Sequence, residues 1–329
     1  MNLDRVEQIA KATLYEGYML YPYRPSSVKN RQRWNFGVLY PQSYSEAQDG
    51  CDACAMQTEC LVAGKTAAKL DVRLRFLQVQ VRERPQPDNS PRGPTDFWQE
   101  AVEREVCVPT FSLDAATLGP VTSRFDFLAC APGQSALNSE KEVVRRQARI
   151  CGDVEIMARR VGAGVFQLTT QVRNTTPFDS SAANREDALL HSLISAHFVF
   201  VVQDGEFVSL LEPPPELQEL AAQCKNGGAW PVLVGDPGQR DTLLASPIIL
   251  YDYPQIAPES AGDLFDGTEI DEILSLRILT LTDEEKREIR ESDERARQVL
   301  ERTETMPPEQ FMKLHGAVRG LRPVRENIP

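Results

Sequence analysis

The chain has 329 residues, a net charge of −12 and 41% hydrophobic residues, values of a globular protein with one large domain or two smaller ones. Its surplus of acids argues against general binding to a phosphate backbone, which needs a positive footprint. The first twenty residues hold Asp4, Glu7 and Glu16 and no continuous apolar core. No signal peptide is therefore expected. No run approaches the roughly 18 apolar residues of a membrane span. The seven cysteines are an odd number and make no disulfide framework, so they read as reduced thiols or ligands in a cytoplasmic protein.

Helical spacing of Leu3, Val6, Ile9, Ala10, Thr13 and Leu14 predicts a helix over residues 2–14. Residues 18–40 follow, with Arg24, Lys29, Arg31 and Arg33, no acid, and interleaved aromatics including Trp34. Such a stretch can hold single-stranded nucleic acid or an acidic protein partner. Its plainer reading is aromatic core and cations paired with the chain's own acids.

Cys51, Cys54 and Cys60 form a C-x2-C-x5-C pattern. Two thiolates at that spacing can share a tetrahedral zinc or iron, but no fourth ligand is evident nearby. The alternative is incidental thiols in a loop entering a strand, with Cys60, in Thr-Glu-Cys-Leu-Val-Ala, a core residue.

From Lys69 the pattern is β. Leu70, Val72, Leu74 and Phe76 alternate with polar residues, and the phase flips at Leu77, which predicts a bulge or a change of buried face. Residues 85–94 read as an exposed loop. Short strands are expected at 100–108, 121–130, 153–161 and 164–174, the last two as a hairpin. A helix is expected near 139–148. Asn184 caps a predicted helix over 185–195. The run Ala196 to Val202, Asp204-Gly205 and Glu206 to Leu211 reads as a second hairpin. A helix is expected from Pro213–Pro215 to Asn226, with strands at 230–235 and 242–251. Helices follow at 268–279 and from Thr282 to about 305, and a last short one carries His315. The pattern predicts an α+β fold. Its β-rich N-terminal half (1–178) is sandwich- or barrel-like, and a mixed α/β C-terminal half (179–329) ends in helices.

The least generic stretch is 246–274. From Asp241 to Leu276 there is no Lys or Arg, and the same window holds eight acids. Among them Asp252, Glu259, Asp263 and Asp266 surround Tyr251 and Tyr253 and a Pro-rich loop. Asp266, Glu269, Asp271 and Glu272 have a simpler account as helix capping and dipole residues. His191 and His197 do not share a helical face at their spacing. Converging with Asp252, Asp263 or Asp266 across a turn, they would form a mixed His/carboxylate metal site. A structural role is the alternative. No nucleophile elbow, phosphate loop, dinucleotide motif or His-Glu-x-x-His occurs.

Three segments resemble a family of uncharacterised proteins associated with gene clusters for actinobacterial-type [NiFe] hydrogenases: residues 20–41, Met56 to Val62, and 246–274. The resemblance implies an accessory role in making or assembling a hydrogenase, with hydrogenase subunits or maturation factors as partners. It supplies no catalytic residue. The expectation is thus a non-catalytic accessory protein that needs no cofactor and touches neither membrane nor nucleic acid. It would meet its partner through Arg24, Lys29, Arg31, Arg33, Trp34, Tyr251, Asp252, Tyr253, Glu259 and Asp263. A metal-dependent enzyme and a single-stranded nucleic-acid binder stand as alternatives.

Overall fold

A computed structural model describes residues 3–15, 34–83, 97–130, 144–181, 184–255, 278–292, 294–307 and 309. Arg24, Lys29, Arg31, Arg33, Glu259, Asp263, Asp266 and His315 lie outside them, as do the predicted loop at 85–94 and nearly all of the predicted helix at 268–279. The architecture is α+β and β-rich, as expected. Strand β1 (Ala55–Glu83) is the spine. Along its first arm it pairs with β6 (Val165–Asn174), which pairs with β5 (Ile150–Gly162), which pairs with β3 (Val121–Phe127). Along its second arm it lies between β2 (Phe97–Ser112) and β7 (Ile194–Val208). Its end also meets β4 (Val144–Gln147). β7 continues the sheet through β9 (Thr242–Ser246) to β8 (Trp230–Leu233). All these pairings are antiparallel.

The sheet curls on itself. Phe76 of β1 packs against Phe125 and Phe127 of β3, 5.8 Å between ring centroids in each case, although β3 is three positions away in sheet order. Arg104 of β2 lies over the Phe127 ring. One core therefore fills the space between the two arms, the sandwich-like arrangement that the period-two patterns predict. β7 lies beyond residue 178 yet is hydrogen-bonded to β1, so the sheet runs across the 178/179 division.

β1 is longer than the alternation suggests, and it bends. Its register with β7 breaks between Gly64 and Lys69. Here Gly64 and Gly205 bring two backbones together: a Cβ on Gly64 would lie 3.2 Å from Gly205 Cα and 3.3 Å from Asp204 O. Asp204 has φ of 60°. Asp204-Gly205 is thus a kink inside β7 and not the predicted hairpin turn, because the residues on both sides of it stay paired with β1. The phase flip at Leu77 coincides with a second register break in this ladder. Leu70, Val72, Leu74 and Phe76 face the main core, while Leu77 and Val79 face a second core under helix α4 (Arg185–Leu190).

Helix α1 (Leu3–Leu14) covers the outer side of β7, β8 and β9 through Val6, Ile9 and Ala10. With core on one face and α1 on the other, β7 is buried on both sides. That explains its unbroken apolar run. Short helices α2 (Gln42–Ala47), α3 (Leu113–Leu118) and α5 (Gln218–Ala222) fill connections. The Asn184 side chain accepts from the Asp187 N–H at the start of α4, as predicted. That helix stops at Leu190 and not at 195, since Leu193 and Ile194 are drawn into pairing with Leu39 and Leu77. Residues 144–147 are strand, where a helix is expected. The strand at 242 ends at Ser246, just before Pro247, which has no N–H to give.

The predicted helix after Thr282 is two helices, α6 (Asp283–Ser292) and α7 (Glu294–Thr305). Lys286 and Arg290 of α6 both reach Glu304, at 3.2 and 2.6 Å. In a continuous helix Arg290 and Glu304 would be about 21 Å apart, so the chain reverses between them. Thr282 and Glu285 form a capping box at the start of α6. Among the described residues no helix is long and apolar enough to cross a membrane.

The bend should be sensitive to any side chain at its contact point. Gly64→Val is expected to destabilise the chain by about 1–3 kcal/mol through overpacking, read as a lower urea midpoint. An unchanged midpoint would mean the close approach is not structural.

Candidate functional site

The cysteine group does not assemble. Cys60 is 1% exposed and belongs to the main core. Burial, reinforced by Cys224 and Glu59, pushes its thiol pKa far above the ordinary value. A thiolate ligand is disfavoured there, which corrects its place in the metal reading. Cys51 is exposed and Cys54 half-buried, both in the loop before β1.

The two histidines also lie apart. His191 follows α4 with its ring against Phe178, 5.3 Å between centroids. Burial lowers its pKa, opposed by the Arg149 backbone and Asp187. His197 is 0% exposed and sits opposite Arg75 of β1 in the β1–β7 ladder. Its Nδ1 lies 2.9 Å from Ser195 O, and its Nε2 has no partner. Burial pushes its pKa down to about 4, Arg75 adds to this, and Ser195 O opposes it. Asp252 is engaged elsewhere. Among the described residues no three His, Cys, Asp or Glu side chains are grouped to hold a metal ion.

The Tyr251-Asp252-Tyr253 stretch divides into anchors and display. Asp252 Oδ1 accepts from Leu233 N–H at 2.8 Å, and Oδ2 accepts from Ser209 Oγ at 2.5 Å. Ser209 Oγ accepts in turn from the Leu211 and Glu212 N–H groups. Asp252 therefore clips the edge strand β8 to the end of β7. Tyr253 has φ of 56°. Its N–H donates to Leu233 O at 2.7 Å, its hydroxyl donates to Gln239 O at 3.0 Å, and its ring packs on the main core. Tyr251, immediately before these anchors, is 87% exposed, and Ile249 is 74% exposed. Trp34 needs correction as a contact residue: it is 2% exposed, and its Nε1 donates to Gln99.

Sequence reasoning missed a groove of about 500 Å³. Asn35, Gly37 to Tyr40, Cys51 to Ala53, Ala55, Arg185, Gly228, Trp230 and Pro247 frame it. Arg185 donates to Asn35 Oδ1 at 2.7 Å and to Trp34 O at 3.2 Å. Burial raises the Tyr40 hydroxyl pKa, Arg185 opposes this, and Asp52 adds to it. The walls come from segments far apart in the chain, so no contiguous motif marks them. The one local signal was that Arg185 opens a capped helix. No protein-family model matches this chain, and no curated protein matches it.

Two outcomes follow from these placements. The folded form of His197 resists protonation, so unfolded chains take up more protons between pH 6.5 and about 4. The contribution of neutral His197 is complete above pH 6.5 and is lost as pH falls toward 4. It amounts to about 3 kcal/mol at full extent. His197→Gln should therefore lose less stability than wild type between pH 7 and 4.5 in parallel denaturant titrations. Equal losses would show that His197 does not titrate this way. Asp252→Ala leaves the Leu233 N–H without its acceptor and should speed hydrogen exchange at Leu233 and Tyr253, with a stability loss of about 1–3 kcal/mol. Unchanged exchange at both amides would refute the clip.

Proposed function

We propose that this chain is a non-catalytic accessory protein that works by contacting another protein. The observation that carries this reading is Tyr251, an exposed aromatic immediately before two anchored residues. Exposed aromatics are the side chains that contribute most at interfaces. A loop whose backbone is already fixed gives up less conformational entropy on binding. Asp252 and Tyr253 provide that fixing, and Ile249 supplies further apolar surface on the same segment. Following the resemblance of residues 20–41, 56–62 and 246–274, we assign the role to hydrogenase assembly, with a hydrogenase subunit or maturation factor as partner.

The enzyme alternative has no observation of its own in its favour. Of its ligands, Cys60 is in the core and Asp252 clips β7 to β8.

Tyr251→Ser should leave the fold unchanged, because the side chain is almost wholly exposed, and should weaken partner capture. The measurement is affinity capture from the native host with wild type and variant side by side, followed by identification of the captured proteins. The expected result is a hydrogenase subunit or maturation factor enriched with wild type and depleted with the variant. Equal capture by both forms, or a wild-type set holding neither class, would overturn the reading.

A further inference from the structure

The groove beside Arg185 contains an interrupted ladder. Along β1, the groups facing away from β6 belong to odd-numbered residues, since Cys54 O accepts from Asn174 of that neighbour. Ala53 O accepts from Tyr40 N–H, and Gln57 exchanges both its backbone bonds with Gly227. Between these filled rungs, Ala55 pairs only with β6, through the register position where its own N–H and C=O face the groove. On the opposite wall Leu39 bonds Leu193 through both its backbone groups, which turns the Val38 N–H and C=O the other way. Among the described residues neither Val38 nor Ala55 has a backbone partner on the groove side. Both residues line the groove. Unpaired backbone donors at a half-buried wall carry a free-energy cost that a ligand can relieve.

The second observation is charge. Arg185 lines the same groove with a half-buried guanidinium. It hydrogen-bonds a carbonyl and a side-chain amide and also acts on the Tyr40 hydroxyl, and it forms no ion pair with a carboxylate among the described residues. A guanidinium without a counter-ion beside unpaired N–H groups matches a carboxylate, for which charge-assisted bonds are the strong ones. Trp230 and Pro247 offer an apolar wall next to it. A volume of about 500 Å³ is in the range of ligand sites and holds roughly two or three residues of extended chain.

We propose that this groove binds the C-terminal carboxylate of an extended peptide. The carboxylate sits against Arg185 and the Val38 and Ala55 N–H groups, and the last side chain lies on Trp230. Capture of a terminal carboxylate by backbone donors is a known mode of peptide recognition. Asp52 lines the same groove and opposes an anion, so it limits affinity and favours a peptide over a bare anion. The proposal rests on the accessory reading and deepens it, since the peptide would be the partner's terminus.

The test uses the full chain labelled with nitrogen-15 and a pool of acetylated random tetrapeptides with free carboxyl ends. The same pool with amidated ends and sodium acetate serve as comparisons. The free-acid pool should shift the Val38 and Ala55 amide signals, with the amidated pool weaker by at least about tenfold, the loss expected for one charge-assisted hydrogen bond. Arg185→Gln should weaken the free-acid pool to the level of the amidated one, and Asp52→Asn should tighten it. Equal shifts from acid and amide pools would overturn the proposal. Saturation by acetate at the same concentration as the acid pool would also overturn it, leaving a pocket for small carboxylates. The acid-to-amide comparison needs only wild-type protein, so it stands if Arg185→Gln fails to fold. Failure here with Tyr251-dependent capture intact removes the groove proposal alone. Loss of capture specificity with peptide binding intact removes the accessory reading.

Discussion

The bend in β1 is the constraint on which the remaining structure depends. Twenty-nine residues of straight strand would run to about 95 Å, far beyond what one compact core could cover. Bending at Gly64 to Lys69 lets one strand serve two arms, pairing with β6 before the bend and with β2 after it. β7 follows β1 around the corner because Asp204-Gly205 kinks at the matching place. The close approach of Gly64 and Gly205 is what allows both strands to turn together. Once they do, Phe76 faces Phe125 and Phe127, and a single core forms between the arms.

Polar groups inside the fold are handled by small networks, and one of them frames the groove. The buried Asn174 donates through Nδ2 to Leu39 O and to His191 O, and its Oδ1 accepts from Thr176 N–H. One side chain thus ties the end of β6, the segment before α2 and the end of α4 together. A similar network closes the far arm of β1, where Gln78 accepts from Arg104 and Gln147 and donates to Ala148 O. Fully satisfied networks of this kind fix a single arrangement of their surroundings. The Asn174 network holds the wall at Leu39, which leaves the Val38 backbone N–H and C=O turned toward the groove.

The sequence was legible where the signal is local. Alternation in β1 and the β5–β6 hairpin are read from period-two spacing, and Asn184 and Thr282 from capping chemistry. The phase flip at Leu77 marked a real change of buried face. Errors arose where a distant strand overrode a local preference. Asp204-Gly205 is a strong two-residue turn signal, but pairing with β1 on both sides keeps the chain extended. The 185–195 helix lost its last turn to pairing at Leu193 and Ile194 for the same reason. Trp34 looked like part of a basic aromatic surface, and only the partner at Gln99, sixty-five residues away, shows it to be core. The groove was invisible because it is defined by rungs that are missing, and no residue type announces a missing bond.

The acidic window illustrates why charge alone does not identify a surface. Asp241 and Asp252 are its described acids. Asp252 accepts from a backbone N–H and a serine hydroxyl within the fold, and Asp241 Oδ1 accepts from the Thr242 hydroxyl. Both carboxylates serve internal hydrogen bonds to neutral donors, which fix their position and leave their charge in place. What its described part presents outward includes the apolar Ile249 and the aromatic Tyr251, and the anchors at Asp252 and Tyr253 make that presentation rigid. On the accessory reading, burying Tyr251 and Ile249 therefore supplies the apolar part of the affinity at this surface.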